Sequence, residues 1–227
     1  MDIAANIAAI RERISVICRN CGRDPGQVRL VAVSKKKPVS AIEAAIAAGQ
    51  ALFGESYVQE CVAKIGEVQS AAEWHFIGAL QSNKVKYLRG KVAMIHSVDR
   101  FSLATEIDHQ WGKDAGCVDI LIQVNLGGEA SKSGTTLDQA IDLVRRTAPL
   151  EHVRIRGLMA LPPWFDDPEQ VRPYFRQLRQ LAERIEALGL PHVSMRELSM
   201  GMSHDFEVAV EEGATLVRIG TAIFGAR

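Results

Sequence analysis

Lys35 stands at the end of a short apolar run, Leu30-Val31-Ala32-Val33-Ser34, and is followed at once by Lys36, Lys37 and Pro38. An amine delivered to the end of a buried strand is a candidate nucleophile. Neighbouring cations and partial desolvation both disfavour the ammonium form, so one of this trio could be neutral and reactive at about pH 7 instead of holding the ordinary lysine value of about 10.4. The same residues also suit a solvated cluster at a strand end, and only the rest of the chain separates the two readings.

Polar groups recur where other apolar runs stop. Gly54-Glu55-Ser56-Tyr57 follows the second run, His75 lies in the third with Gln81, Asn83 and Lys84 beyond it, and Asn125 ends the fifth. Gly201-Met202-Ser203 follows the seventh run, and Arg218 sits in the eighth just before Gly220-Thr221. Taken singly they have ordinary uses: Ser203 as N-cap of a helix over 204–212, His75 as a hydrogen-bonded core histidine. Taken together, the glycines allow close backbone approach to an anion, and the N–H groups and hydroxyls beside them can cradle phosphate oxygens. With a strand period of two, Leu216, Arg218 and Gly220 share one face, Val31, Val33, Lys35 and Lys37 share another, and Lys36 points away. Where those faces meet, an amine, a guanidinium and a phosphate cradle converge. Pyridoxal 5′-phosphate (PLP) needs that set: an amine for its aldehyde, a partner for its ring nitrogen and an anchor for its phosphate.

The elements that would position these groups follow from periodicity. Eight short apolar runs, at 30–34, 52–55, 74–78, 94–98, 120–125, 155–161, 197–200 and 216–220, alternate with helical patterns. The clearest helix covers 171–188, where Val171, Tyr174, Phe175, Leu178, Leu181, Ala182, Ile185 and Leu188 keep the i, i+3, i+4 spacing. Pro38 stands near the start of one helix, and Gly49, Gly189 and Gly213 stand where others should end. Near-continuous apolar strands joined by helices imply a parallel sheet covered on its faces. Eight such units predict an α/β fold, a single TIM-type (β/α)8 barrel spanning 1–227 with an additional N-terminal helix. In that fold the chemistry belongs at the C-terminal ends of the strands, with phosphate after strands seven and eight and function in loops such as 127–134 and 162–168.

Composition narrows the class. The 227 residues are 47% hydrophobic, and 27 Lys plus Arg balance 27 Asp plus Glu, so no net field draws in nucleic acid or an anionic membrane. No signal peptide or long apolar span is legible, so the expectation is a cytoplasmic protein. Cys18, Cys21, Cys61 and Cys117 are too scattered for a disulfide framework. Cys18-x-x-Cys21 closes a helical pattern without a second ligand pair, and no metal site is expected.

Several segments, in order and with consistent spacing from about residue 30 to the C-terminus, carry a resemblance. They are Ala32-Val33-Ser34-Lys35, Phe53-Gly54-Glu55 with Tyr57-Val58-Gln59-Glu60, His75-Phe76-Ile77-Gly78, Ser131-Lys132-Ser133-Gly134, Arg156-Gly157-Leu158-Met159 and Leu198-Ser199-Met200-Gly201-Met202-Ser203. With Val217 to Gly225 they resemble the YggS/PROSC pyridoxal phosphate homeostasis proteins. The resemblance implies a fold-type III PLP barrel, similar to the N-terminal domain of alanine racemase, with PLP held as an internal aldimine on Lys35. Carried over, Ser203, Gly220 and Thr221 anchor the phosphate, Arg218 faces the pyridine nitrogen, and His75, Met200 and Gly201 complete the cofactor set. Arginine at that nitrogen would keep it unprotonated and weaken the ring as an electron sink. Members of this family are understood as carriers or regulators of PLP, with PLP-dependent apoenzymes as expected acceptors. One position departs from the pattern: Ser56 stands where the family usually has asparagine.

Two enzyme readings stay open at this point. Weak amino-acid racemase or lyase chemistry needs a second acid/base group, for which Lys37, Tyr57, His75 and Lys132 are candidates. The chain stops soon after strand eight, leaving no room for the second domain that racemases use, and a monomer is expected. A phosphosugar enzyme forming a substrate Schiff base on Lys35 would lack a chromophore as purified. In a carrier, Lys36, Lys37, Lys84 and Lys132 are candidates for a secondary or relay role.

Overall fold

The computed structural model of the protein describes residues 2–128 and 133–225. Each predicted apolar run is a strand: β1 (Arg29–Val33), β2 (Leu52–Glu55), β3 (Glu73–Phe76), β4 (Met94–Val98), β5 (Val118–Val124), β6 (Val153–Ala160), β7 (Val193–Ser199) and β8 (Leu216–Ile219). They pair in parallel, in chain order, and close when β1 pairs β8 with Val31 opposite Arg218. The expected TIM-type α/β barrel is therefore formed. Strands β5, β6 and β7 begin earlier than expected, because their first turns mix Asp119, Arg154 and Arg196 with the apolar residues at the N-terminal rim.

Helices α1 (Ile3–Asn20), α2 (Val39–Ala47), α3 (Val58–Glu67), α4 (Phe101–Gly112), α5 (Leu137–Thr147), α6 (Arg172–Glu186), α7 (Phe206–Glu211) and α8 (Thr221–Phe224) surround the barrel. Between β3 and β4 the connection is a 3₁₀ helix, Ser82–Tyr87, in place of a full α-helix. The additional α1 turns Ile7, Ile10, Ile14 and Cys18 inward and packs against α2, α7 and α8. Asp2 caps it, its carboxylate accepting from the Ala5 N–H at 2.9 Å. In α6, Phe175, Leu178, Leu181, Ala182 and Ile185 form the buried stripe; Leu188 lies beyond its C-terminus and is exposed.

Two concentric layers result from strand alternation. Outward residues such as Ala32, Phe53, Phe76, Ile95, Ile120 and Val217 meet the helices in one apolar shell. Inward residues Val31, Leu52, Met94, Leu121, Met159 and Leu216 form a separate apolar plug inside the barrel. His75, His96, Ser199 and Arg218 are buried as well, and their hydrogen bonds to one another run across the lumen.

Ser203 is not the N-cap of the helix that follows. That helix starts at Phe206, and Asp205 instead accepts from the Met202 N–H at 2.6 Å, tying the turn before it. The Ser203 hydroxyl is thereby directed to Thr221, which donates to it at 3.1 Å.

Candidate functional site

A cavity of about 310 Å³ opens at the C-terminal end of the barrel. β1 ends at Val33, so Lys35 lies in a turn just above the strand and lines the cavity with Lys37; Arg218 reaches it from β8, and Ser203, Gly220 and Thr221 from the two loops beyond β7 and β8. Ser56, Ile77, Leu161, Trp164, Met202 and His204 complete most of the wall. Lys35, Lys37 and Arg218 face this space together, and no Asp or Glu is among the described lining residues.

The turn that presents Lys35 is held from beneath. Ser34 donates to the buried Glu55 carboxylate at 2.6 Å, and Lys64 Nζ binds Glu55, Glu60 and the Ser34 carbonyl at 2.8, 2.6 and 2.6 Å. Glu60 also accepts from the Lys36 backbone N–H, where φ is +61°. Burial pushes the Glu55 carboxyl above its ordinary value, against the pull of Lys64 and Ser34. The same burial pushes Cys61, on the neighbouring turn of α3, up to about 12, so that thiol is inert packing. Phe53-Gly54-Glu55 and Glu60 thus serve the site by shaping the lysine turn without lining the cavity.

On the other side, Gly201 has φ +89°, and a Cβ there would sit 2.5 Å from the Cβ of Ala209. Only glycine lets β7 turn tightly enough against α7 to bring Ser203 to the mouth. Gly220 packs on β1, where a Cβ would meet the Val33 carbonyl at 3.2 Å. Next to it the Ala222 N–H approaches the Ser203 hydroxyl at 3.5 Å, so two hydroxyls and a backbone donor form one cluster.

Arg218 is 4% exposed. Burial lowers its guanidinium to about 10, which keeps it cationic at neutral pH. Hydrogen bonds to Ser199 Oγ and to the Ala160 carbonyl occupy two of its five N–H donors.

The other expected site residues lie elsewhere. His75 is fully buried in the barrel and does not line the cavity; its Nδ1 meets His96 Nε2 at 2.9 Å and its Nε2 meets Glu73 at 2.8 Å. Met200 points outward into the apolar shell, and Met202 takes the cavity position. Tyr57 is half-exposed below the Lys36 ammonium, and Lys84 lies over the Tyr87 ring in the 3₁₀ helix. Lys37 Nζ donates to the carbonyls of Phe224 and Gly225 at 2.9 and 3.0 Å. Ser131 and Lys132 are outside the described residues. Ser199, His96, Trp164 and His204 were not singled out in advance. Trp164 stacks on His204 with centroids 5.6 Å apart, joining the 162–168 loop to the Ser203 side of the mouth. For His96 a signal existed, because it shares strand parity with the inward Met94.

A larger cavity, about 510 Å³, lies at the opposite end between α1 and the N-terminal rim. Its charged groups are engaged with protein partners: Arg11 with Gly49 and Gln50, Arg29 with Glu73 and Glu197. It offers no comparable set of convergent donors.

Fold and mouth together define a TIM-type barrel protein whose cationic, hydroxyl-lined cavity suits a phosphorylated carbonyl compound. The alanine racemase N-terminal domain family matches residues 5–227. A pyridoxal phosphate homeostasis protein of Aquifex aeolicus is 45% identical over 231 residues, covering 100% of this chain and 99% of that one. Its namesake in Escherichia coli strain K12 is 45% identical over 230 residues, covering 100% and 97%. Among solved structures, PipY of Synechococcus elongatus with PLP bound superposes with a TM-score of 0.85 at 35% identity, covering 98% of this chain and all of that one. The chain belongs to the pyridoxal phosphate homeostasis proteins, within the alanine racemase N-terminal domain family.

Proposed function

We propose that this protein binds PLP at the barrel mouth and holds, buffers or releases it, contributing to vitamin B6 and amino-acid balance. The observation that carries this reading is the convergence of Lys35, Arg218 and the Ser203–Thr221 pair on one cavity whose described lining has no carboxylate. Such a wall suits a phosphate ester close to dianionic at neutral pH. When bound, PLP supplies an aldehyde with which one amine condenses, releasing one water. Lys35 would provide that amine, Ser203, Thr221 and the backbone at Gly220 would hold the phosphate, and Arg218 would offer an N–H to the ring nitrogen. Gly201 acts behind this set by its close packing on α7, and His75 and Met200 lie outside it.

The reading extends to PLP-dependent apoenzymes as acceptors and to a monomeric, cytoplasmic carrier. No helix among the described residues is long and apolar enough to cross a membrane. Among the described residues, Lys37 is the one of the proposed second bases that lines the cavity, and the racemase or lyase alternative turns on it and on Lys132, which lies outside them.

The test is a visible spectrum of the purified protein with PLP, followed by borohydride reduction and peptide mapping. A band whose reduced adduct maps to Lys35, and that disappears in Lys35→Ala while the unfolding transition persists, is the expected result. An adduct on Lys37 in the wild type would move the assignment, and no band at saturating PLP would end the cofactor reading. Amino-acid turnover abolished by Lys37→Ala would favour the enzyme over the carrier.

A further inference from the structure

A hydrogen-bonded line crosses the barrel from the cofactor mouth to the opposite rim. Arg218 Nη1 donates to Ser199 Oγ; Ser199 Oγ lies 2.9 Å from His96 Nδ1; His96 Nε2 lies 2.9 Å from His75 Nδ1; His75 Nε2 lies 2.8 Å from Glu73. The two imidazoles are fully buried, and Glu73, at the start of β3, is half-exposed at the N-terminal rim beside Arg29.

The two ends together set the direction of the whole line. A guanidinium can only donate, so Ser199 accepts from Arg218 and its single O–H is available to point at His96 Nδ1. With that proton directed to Nδ1, neutral His96 carries its own on Nε2 and donates to His75 Nδ1. His75 in turn carries its proton on Nε2 and donates to Glu73. The carboxylate at the far end is the right terminus, because its hydrogen bond from His75 holds it below its ordinary value and therefore ionised. Complete burial keeps His96 neutral, as this sequence of donors requires. The opposite polarity, with Glu73 ionised, would put protons on both nitrogens of His75 and leave the Ser199 hydroxyl proton without an acceptor among the described residues of the lumen.

We propose that His96, oriented by His75 and Glu73 and acting through Ser199, is a positioning residue that fixes the plane of Arg218 and the N–H it presents to the cofactor. The inference rests on the PLP reading above. It gives the buried histidines a use, connecting a carboxylate at one end of the barrel to the ligand at the other. Arg218 is pinned at two points, Ser199 and the Ala160 carbonyl, and only the first can be tuned from a distance. Each donor in the line polarises the next, so negative charge at Glu73 makes Ser199 a better acceptor for the guanidinium.

Two readouts test this. In cofactor-free protein, side-chain ¹⁵N NMR should show His75 and His96 both protonated on Nε2 and bare on Nδ1. A proton on His75 Nδ1 would overturn the assigned direction and the proposal with it. In PLP-loaded protein, Ser199→Ala should weaken binding about tenfold and shift the visible band, with Ser199→Thr restoring both. Glu73→Gln, on the exposed rim, should shift the band the same way and weaken binding about threefold, since it keeps an acceptor and removes the charge. Variants that fold, load and absorb like the wild type would overturn the positioning role. A wild type without any band would overturn the cofactor reading itself, while the NMR result would still decide the direction of the line.

Discussion

The outward and inward faces of the same eight strands are built for different ends. Outward, Phe53, Phe76, Ile95, Ile120, Val217 and their helical partners form an apolar shell whose free energy comes from non-directional burial. Inward, the apolar plug occupies one part of the lumen, and His75, His96, Ser199 and Arg218 occupy another in directed hydrogen bonds. A shell of the first kind accepts volume-conserving exchanges, whereas a line of the second kind depends on every donor finding its acceptor. Stability should therefore be lost mainly through the outward layer and ligand binding mainly through the inward one.

The strongest way to break that division is at Phe53, fully buried with its ring 5.4 Å from Trp74. Phe53→Ala should cost about 3–5 kcal/mol in denaturant unfolding. The surviving folded fraction should still attach PLP at Lys35, and loss of attachment at temperatures where the variant is folded would show that the layers are not separable. Ser203→Ala probes the mouth, where removing a hydroxyl from a charged ligand costs about 1.5–3 kcal/mol of binding, roughly 10- to 150-fold in Kd. Its unfolding midpoint should hardly move, because Ser203 caps no helix. A midpoint shift as large as that of Phe53→Ala would undo the comparison.

The smallest effect is a pH dependence. His96 is held well below 6.5 in the folded protein, so as pH falls through that value the unfolded chain takes up a proton that the folded chain refuses. Folding stability should therefore decline on acidification through about pH 6 and level off above about pH 7. Glu73 acts in the same direction at lower pH, because its depressed value adds stability that is lost as the carboxylate protonates. Glu55, held above its ordinary value, works the other way in that acid range. Urea unfolding of wild type and His96→Asn at about pH 7.5 and about pH 5.5 checks the sign: the wild-type loss should shrink in the variant. An equal loss in both would assign the acid limb elsewhere.

Much of this was readable in the chain. Alternation placed Leu216 and Arg218 on one face of β8 and Val31 with Lys35 on one face of β1, and the run from Leu30 to Ser34 delivered Lys35 to a strand end; which face points inward came from the fold. The glycine and hydroxyl pairs after the last two strands pointed to residues that line the cavity. Other features required the fold. Ser203 has the chemistry of an N-cap, and only the Asp205–Met202 hydrogen bond shows that the turn is closed without it. Met200 and Met202 are indistinguishable by type, and the Gly201 turn puts one in the shell and the other at the cavity.

What the amino-acid sequence determined by itself was local: which residues form strands, which side chains share a face of a strand, and where an amine or hydroxyl comes to the end of a run. Those properties follow from backbone periodicity and residue chemistry within a few positions. Tertiary structure decided which strand ends meet. Closure of β1 on β8 places Val31 beside Arg218 and brings Lys35 to the cavity that Ser203, Gly220 and Thr221 line, and closure of the lumen lets His75, His96 and Ser199 bridge three strands. No short window of sequence encodes those pairings, because they exist only once all eight strands have taken their tilt and register in a single ring.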